Sequence, residues 1–381
     1  MHKKLIYITY QTFPADTANS IQTMTMLKYF SRSEYKVQLI FPNRSENSTN
    51  NLAALQKFYG FDEHFDIKVT EHNYPFKDYK GKTYFKKIRF HISHFLWSKK
   101  NVKQVLKDNP TQILFFTRSD WVFYFLSKKN KSVTFECHQV SRIRRFVLSR
   151  CIKNKNSKII FTNELLKKAF FRKNIFDRKI MVAENAFDDD HFKKNINKVP
   201  NKVIFVGNLL RFNQDRGLDM IIQAFNDPRL SKHTLEIIGG PERVITSLKK
   251  KIISNNIYLI GRKSHKETIE RLQSSEIGLL VNSSSNKHST HHTSPLKFFE
   301  YLRSELKVVA IDFPAHRNLP YSEQITYYKE TDRENLICSI IEASNLGFHD
   351  YKNLNMYSYL QRAMKILNFM ARPEGLEPPT L

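Results

Sequence analysis

Val203–Gly217 reads VIFVGNLLRFNQDRG: an apolar run, a glycine, a polar loop with two arginines, and a second glycine. The apolar run is continuous, as in a parallel strand covered on both faces; a strand with one wet face would alternate. Gly217 then stands at the mouth of a helix. The same strand–loop–helix unit recurs outward in both directions. Apolar runs at Lys4–Tyr10, Val37–Phe41, Gln112–Phe116, Val133–Glu136, Lys158–Thr162 and Ile180–Ala183 precede it. Runs at Thr234–Ile238, Ile257–Ile260, Ile277–Val281, Val308–Ile311 and Ile325–Tyr328 follow it. Strands alternating with helices predict βαβ units, and two such series predict two doubly wound α/β domains.

The polar stretch Lys193–Lys202 separates the series. The expected layout is a first Rossmann-like domain over 1–192, a linker over 193–202 and a second Rossmann-like domain over 203–348. Closing helices over 349–370 and a disordered tail over 371–381 complete it. Three prolines in the eleven residues ARPEGLEPPTL set that tail apart.

Bulk properties narrow the class. The 381 residues are 41% hydrophobic, enough for two packed cores and too many for a disordered chain. Leu5–Tyr10 is too short for a signal-peptide core, and Trp121–Leu126 falls far short of the roughly 18 apolar residues of a membrane span. Three scattered cysteines make no disulfide framework, so a reducing cytoplasm is expected. Net charge is +26, and it is concentrated: Lys80–Lys179 holds 26 basic and 5 acidic residues. Such a field attracts polyanions, nucleic acid or an anionic leaflet, or it is a solvated surface. Within it, Tyr84–Lys107 has helical spacing. Phe85, Ile88, Ile92, Phe95, Leu96, Val102 and Leu106 share one face, to be packed on the sheet or laid on lipid.

In doubly wound sheets ligands sit beyond the carboxyl ends of strands, so polar residues there are the candidates. After the first strand comes TFPADTANSIQ (Thr12–Gln22), in which Asn19 is either a helix N-cap or a phosphate contact. FECH (Phe135–His138) follows a later strand. Arg211 and Arg216 lie in the loop quoted above, where a cation and a helix N-terminus together would hold an anion. TSPLKFFEY (Thr293–Tyr301) has the pattern of a helix start, with Ser294 as N-cap and Pro295 at the first helical position.

Together with TRS at Thr117–Ser119, ENAFDDDHF at Glu184–Phe192, LEIIGG at Leu235–Gly240 and YLIGRKSHKETIERL at Tyr258–Leu272, these segments resemble family 4 of the retaining glycosyltransferases, in its SPLK variant. The resemblance runs from Lys4 to about Met370. It implies the GT-B fold: two facing Rossmann-like domains and a C-terminal helix crossing back to the first. It also implies transfer of a sugar from a nucleotide-sugar donor to a saccharide or lipid-linked acceptor, with no cofactor and no metal. His138 would lie beside the reacting sugar carbon. Asn19, Arg211, Arg216, Ser294, Pro295, Leu296 and Lys297 would surround the diphosphate, and Glu300 would accept hydrogen bonds from ribose. Gly261 and Arg262 would border the nucleobase. His292 stands where the family usually has a sugar-contacting glutamate, and Asn208 where it has an arginine. Asp188–Asp190 and His288, His291 and His292 mimic metal sites but fall at the domain boundary and in the donor loop. Some members of that family dock on anionic lipid, which with the basic field points to an anionic membrane as partner and a peripheral place on the inner face of the cell membrane. No nucleic-acid motif appears, so nucleic acid is not expected.

Overall fold

The computed structural model describes residues 3–72, 84–109, 113–171, 176–193, 196–211, 214–348 and 351–372. The expectation of a disordered tail falls on 371–381, nearly all outside the described residues. The chain divides into two compact units. The first comprises Met1–Thr162, Lys167–Ala183 and Tyr359–Leu381, and the second comprises Asn163–Leu166 and Glu184–Ser358.

The first unit is built on seven strands: β1 Lys4–Ile8, β2 Lys36–Pro42, β3 Asp66–Thr70, β4 Ile113–Thr117, β5 Val133–Cys137, β6 Ser157–Phe161 and β7 Ile180–Val182. They lie in the order β3-β2-β1-β4-β5-β6-β7, every pair parallel. Leu5, Ile6, Tyr7 and Ile8 are all buried, which is why the run does not alternate. β3 was not foreseen. Its sequence DIKVT alternates charged and apolar residues on the sheet edge, where Lys36 pairs with Asp66 and Lys68 with Asp108. The closing helix Tyr359–Ala371 belongs to this unit: Ala363, Ile366 and Met370 are buried, and Lys158 Nζ donates to the carbonyls of Phe369 and Met370 at its C-terminus.

The helix Tyr84–Asp108 corrects the expected face. Ser93, His94, Trp97, Ser98, Asn101, Val102 and Val105 are buried, while Phe85, Ile88, Ile92 and Leu96 are exposed. Tryptophan and small polar residues make the inner side. Trp97 Nε1 donates to Thr70 Oγ1 and Asn101 Nδ2 to Trp97 O, so these polar groups tolerate burial. Among the described residues, no helix is long and apolar enough to cross a membrane.

In the second unit, β8 Lys202–Val206, β9 Leu210–Arg211, β10 Gln214–Asp215, β11 Thr234–Ile238, β12 Ile257–Gly261, β13 Ile277–Leu280, β14 Lys307–Ile311 and β15 Thr326–Tyr328 follow in sequence. Six form a parallel sheet, β12-β11-β8-β13-β14-β15; β9 and β10 make a small antiparallel ladder. Successive β8 side chains enter different cores. Val203 and Phe205 join Leu218, Ile222 and Leu336, whereas Ile204 joins Phe298, Tyr301 and Leu302. Strand order reverses beside β1 in the first sheet and beside β8 in the second, so each sheet has a switch point where a crevice opens at the carboxyl ends.

Candidate active site

At the carboxyl end of β8 the backbone is stripped of side chains. Gly207 has φ +144° and Gly239, after β11, has φ +158°, and a Cβ on Gly239 would meet the Gly207 carbonyl oxygen at 1.9 Å. Only glycine permits this approach. Two cations converge on it. A Cβ on Gly207 would lie 3.5 Å from Arg216 Nη1 and 3.7 Å from Lys297 Nζ. Lys297 Nζ stands 4.2 Å from the centre of the Phe205 ring. Burial lowers the Arg216 pKa, so the charge is carried in a partly desolvated place where it acts strongly on an anion.

Lys297 sits on the first turn of the helix Leu296–Arg303, which no side chain caps. The first N–H groups of a helix lack intrahelical acceptors and form an anion site. Pro295 is the N-cap residue, and Ser294 is displaced from the expected role. Its Oγ instead accepts from Asn185 N at 3.1 Å, and its carbonyl accepts from Asn185 Nδ2. Asn163 Nδ2 donates to Thr293 O at 3.0 Å. Two asparagines thus hold the turn that carries Leu296 and Lys297; neither had been assigned this role.

One turn further on, Glu300 pairs with His265 Nε2 at 3.1 Å, its side chain 21% exposed and open to a further partner. Gly261 ends β12 with φ +78°, and the Arg262 side chain crosses Gly240, with Nε 2.8 Å from where a Cβ would stand. His292 is buried at the end of the wide turn His288–His292. The backbone of Arg211 pairs in β9, its side chain lying outside the described residues. Asn208 is exposed, and its Oδ1 accepts from Leu210 N. Asp189 pairs with Arg303 at 2.7 Å and Asp188 accepts from Asp190 N. Among the described residues no three His, Cys, Asp or Glu side chains are grouped to hold a metal ion.

In the first unit, β5 ends in a buried relay. Glu136, 2% exposed, bonds His138 Nε2 through one oxygen and Arg362 Nη2 through the other, at 3.0 Å. Burial alone would raise the Glu136 pKa, but Arg362 and His138 outweigh it and hold the carboxyl well below its usual range. Burial, with the charge of Arg118, pushes His138 down to about 3 against the pull of Glu136, so its imidazole is neutral near pH 7. Arg118, just after β4, donates to Gln22 Oε1 at 3.0 Å and to Asn19 O at 3.4 Å.

Asn19 therefore enters through its carbonyl. The cap of the helix Ala18–Ser31 is Thr17, whose Oγ1 accepts from Ser20 N at 3.1 Å. The Asn19 side chain is left exposed one residue into the helix. Arg362 was missed, although a signal existed: it lies three residues after Tyr359 and four before Ile366, on the apolar face of its helix. An arginine on that face needs a buried carboxylate.

Residues 186–346 match the family model of the glycosyl transferases group 1. No curated protein matches the chain. Solved structures align over nearly its whole length. TarM gives a TM-score of 0.68 at 12% identity, covering 98% of this chain and 99% of the other. Sucrose-phosphate synthase from Thermosynechococcus elongatus gives 0.66 at 13%, covering 96% and 98%. HepE of Anabaena, solved with UDP and glucose, gives 0.60 at 12%, covering 96% and 99%. The fold is GT-B, and residues 186–346, within its second unit, are similar to the glycosyl transferases group 1.

Proposed function

We propose that the protein is a retaining glycosyltransferase of family 4 that moves a hexose from a nucleotide-diphosphate sugar to a saccharide or lipid-linked acceptor in cell-surface polysaccharide or glycolipid synthesis. The observation that carries this reading is the convergence of Arg216 and Lys297 on the bare backbone of Gly207, beside an uncapped helix N-terminus. Two cations and oriented N–H groups complement a diphosphate and the charge it gains on departure. Glu300 supplies an acceptor for ribose hydroxyls, with Gly261 and Arg262 bordering the base. His138, neutral and held by Glu136, supports the reacting carbon. In this reading the diphosphate leaves and the acceptor hydroxyl enters on the same face. No step needs a metal, so transfer should persist in excess EDTA; activity lost to EDTA and restored by manganese would overturn that part.

The cytoplasmic, membrane-peripheral setting is part of the proposal. Phe85, Ile88, Ile92 and Leu96 form an exposed apolar stripe flanked by Lys86, Arg89, Lys99 and Lys100. That is the composition of a helix lying in an anionic interface. A second reading, a nucleotide-sugar binder without turnover, is favoured by His292, which offers the transferred sugar an imidazole in place of a carboxylate.

The deciding experiment is a thermal-shift panel of nucleotide-sugars. A specific donor should raise the melting temperature by mass action, and a mutant with Glu300 replaced should lose the shift. No shift with any nucleotide or nucleotide-sugar would overturn the reading.

A further inference from the structure

A second polar cluster lies in the first unit on the β2–β3 side of β1, apart from the Glu136–His138 relay. Tyr10 follows β1, Arg44 follows β2, and His72 follows β3, all just beyond the carboxyl ends of their strands. Tyr10 Oη lies 2.8 Å from both His72 Nε2 and Ser93 Oγ, and Ser93 Oγ lies 3.0 Å from His72 Nε2. The Arg44 guanidinium stands 4.1 Å from the centre of the Tyr10 ring and 5.7 Å from that of Phe90. His94 stacks on Tyr10 at 4.3 Å.

Two features of this cluster ask for a ligand. Arg44 is only partly exposed, and among the described residues no carboxylate lies within ion-pair distance; its polar neighbours are the Tyr10 hydroxyl and the imidazoles of His72 and His94. A desolvated guanidinium without a counter-ion is costly. Arg44 Nε and His94 Nε2 are buried without a hydrogen-bond partner, and His94 is only 6% exposed. Buried polar atoms are normally satisfied, so two orphans on either side of the Tyr10 ring mark a place where something else completes them. Among the groups that line the cluster the full charge is that of Arg44; burial, aided by Arg44 itself, keeps His72 and His94 neutral, and Lys100 acts on His72 from the rim. The cluster therefore matches a single negative charge rather than a dianion.

We propose that Arg44, with Tyr10, His72, Ser93 and His94, forms a subsite for a singly charged oxyanion, a carboxylate or a phosphodiester. That this oxyanion belongs to the acceptor rests on the glycosyl-transfer reading; the subsite itself does not. The guanidinium fork takes the charge, the hydroxyls and imidazoles supply neutral hydrogen bonds, and the rings of Tyr10 and Phe90 flank the attached sugar or glycerol.

The test is histidine-selective NMR of the full chain, without nucleotide and at constant ionic strength. His72 and His94 ring signals are followed during titration with glucuronate against glucuronamide, and with dimethyl phosphate against trimethyl phosphate. Each pair has nearly one shape and differs in charge. Saturable shifts are expected with at least one anion and with neither neutral partner, and the responding pair names the source. Arg44→Gln should weaken the response at least tenfold and Arg44→Lys less. Equal response to the neutral partner, no response to either anion, or unchanged affinity in a folded Arg44→Gln protein would overturn the subsite. If Arg44→Gln does not fold, the anion-against-neutral comparison still decides. Anion binding in a protein that no nucleotide-sugar stabilises would keep the subsite and remove glycosyl transfer.

Discussion

Glu136 shares its two oxygens between His138 and Arg362, and that division makes Arg362 a positioning residue rather than a catalytic one. Removing it leaves a buried carboxylate without its counter-ion, with the neutral His138 as its remaining partner, which costs about 3–5 kcal/mol. Arg362→Met should therefore lower stability by that order in urea unfolding, and a Glu136→Gln, Arg362→Met double variant should recover much of it. Full stability in the single variant would show that the ion pair is not what holds the relay. His138→Ala should leave donor affinity nearly intact and reduce turnover at least about tenfold, equivalent to 1.36 kcal/mol. Glu300→Ala should weaken donor binding by about 1–3 kcal/mol, read by titration calorimetry. His138, Arg216, Lys297 and Glu300 were visible as unusual polar residues after strands. Arg118 and Asn185 stood in quoted motifs without a role, and Asn163 and Arg362 in none, because each acts through a partner distant in sequence that only the fold supplies.

At the scale of elements, the helix Tyr84–Asp108 shows why periodicity finds a helix more easily than its orientation. Its apolar residues repeat with helical spacing, yet Phe85, Ile88, Ile92 and Leu96 face outward while Ser93, Ser98 and Asn101 face in. Sequence alone cannot weigh a tryptophan with small hydrogen-bonded neighbours against a longer apolar stripe. The exposed stripe gives a direct prediction. Ile88→Glu with Ile92→Glu should abolish binding to phosphatidylglycerol vesicles without lowering the melting temperature, whereas substitution of core residues would do both. Vesicle flotation alongside thermal melts checks this, and unchanged flotation would return the stripe to plain surface. β3 escaped sequence reading for a related reason: an edge strand with two charged residues carries no continuous apolar run. The central strands of both sheets, buried on both faces, were all legible.

For the molecule as a whole, pH acts through histidines held neutral by burial. His138 is pushed down to about 3 and His72 to about 4, while an unfolded histidine titrates near 6.5. Between about pH 6.5 and 4 the unfolded chain binds protons that the native protein refuses, so stability is full above that window and falls as pH drops through it. Each such histidine contributes at most about 1.4 kcal/mol per pH unit. Replacing His138 by Asn should flatten the stability–pH slope in that window while leaving stability near pH 8 the reference. An unchanged slope would place its native pKa near the ordinary value.

The placement of Arg362 also bears on how the chain is made. The first unit holds most of its residues before Ala183, but takes its last helix from Tyr359 onward. On a ribosome, Glu136 emerges early and its arginine emerges only after the entire second unit. Until then Glu136 has only His138 as partner, and the nascent first unit lacks the buried face of its closing helix. A chain interrupted anywhere in the second unit therefore carries a first unit less stable than the finished one, lacking both the closing helix and the arginine that balances Glu136.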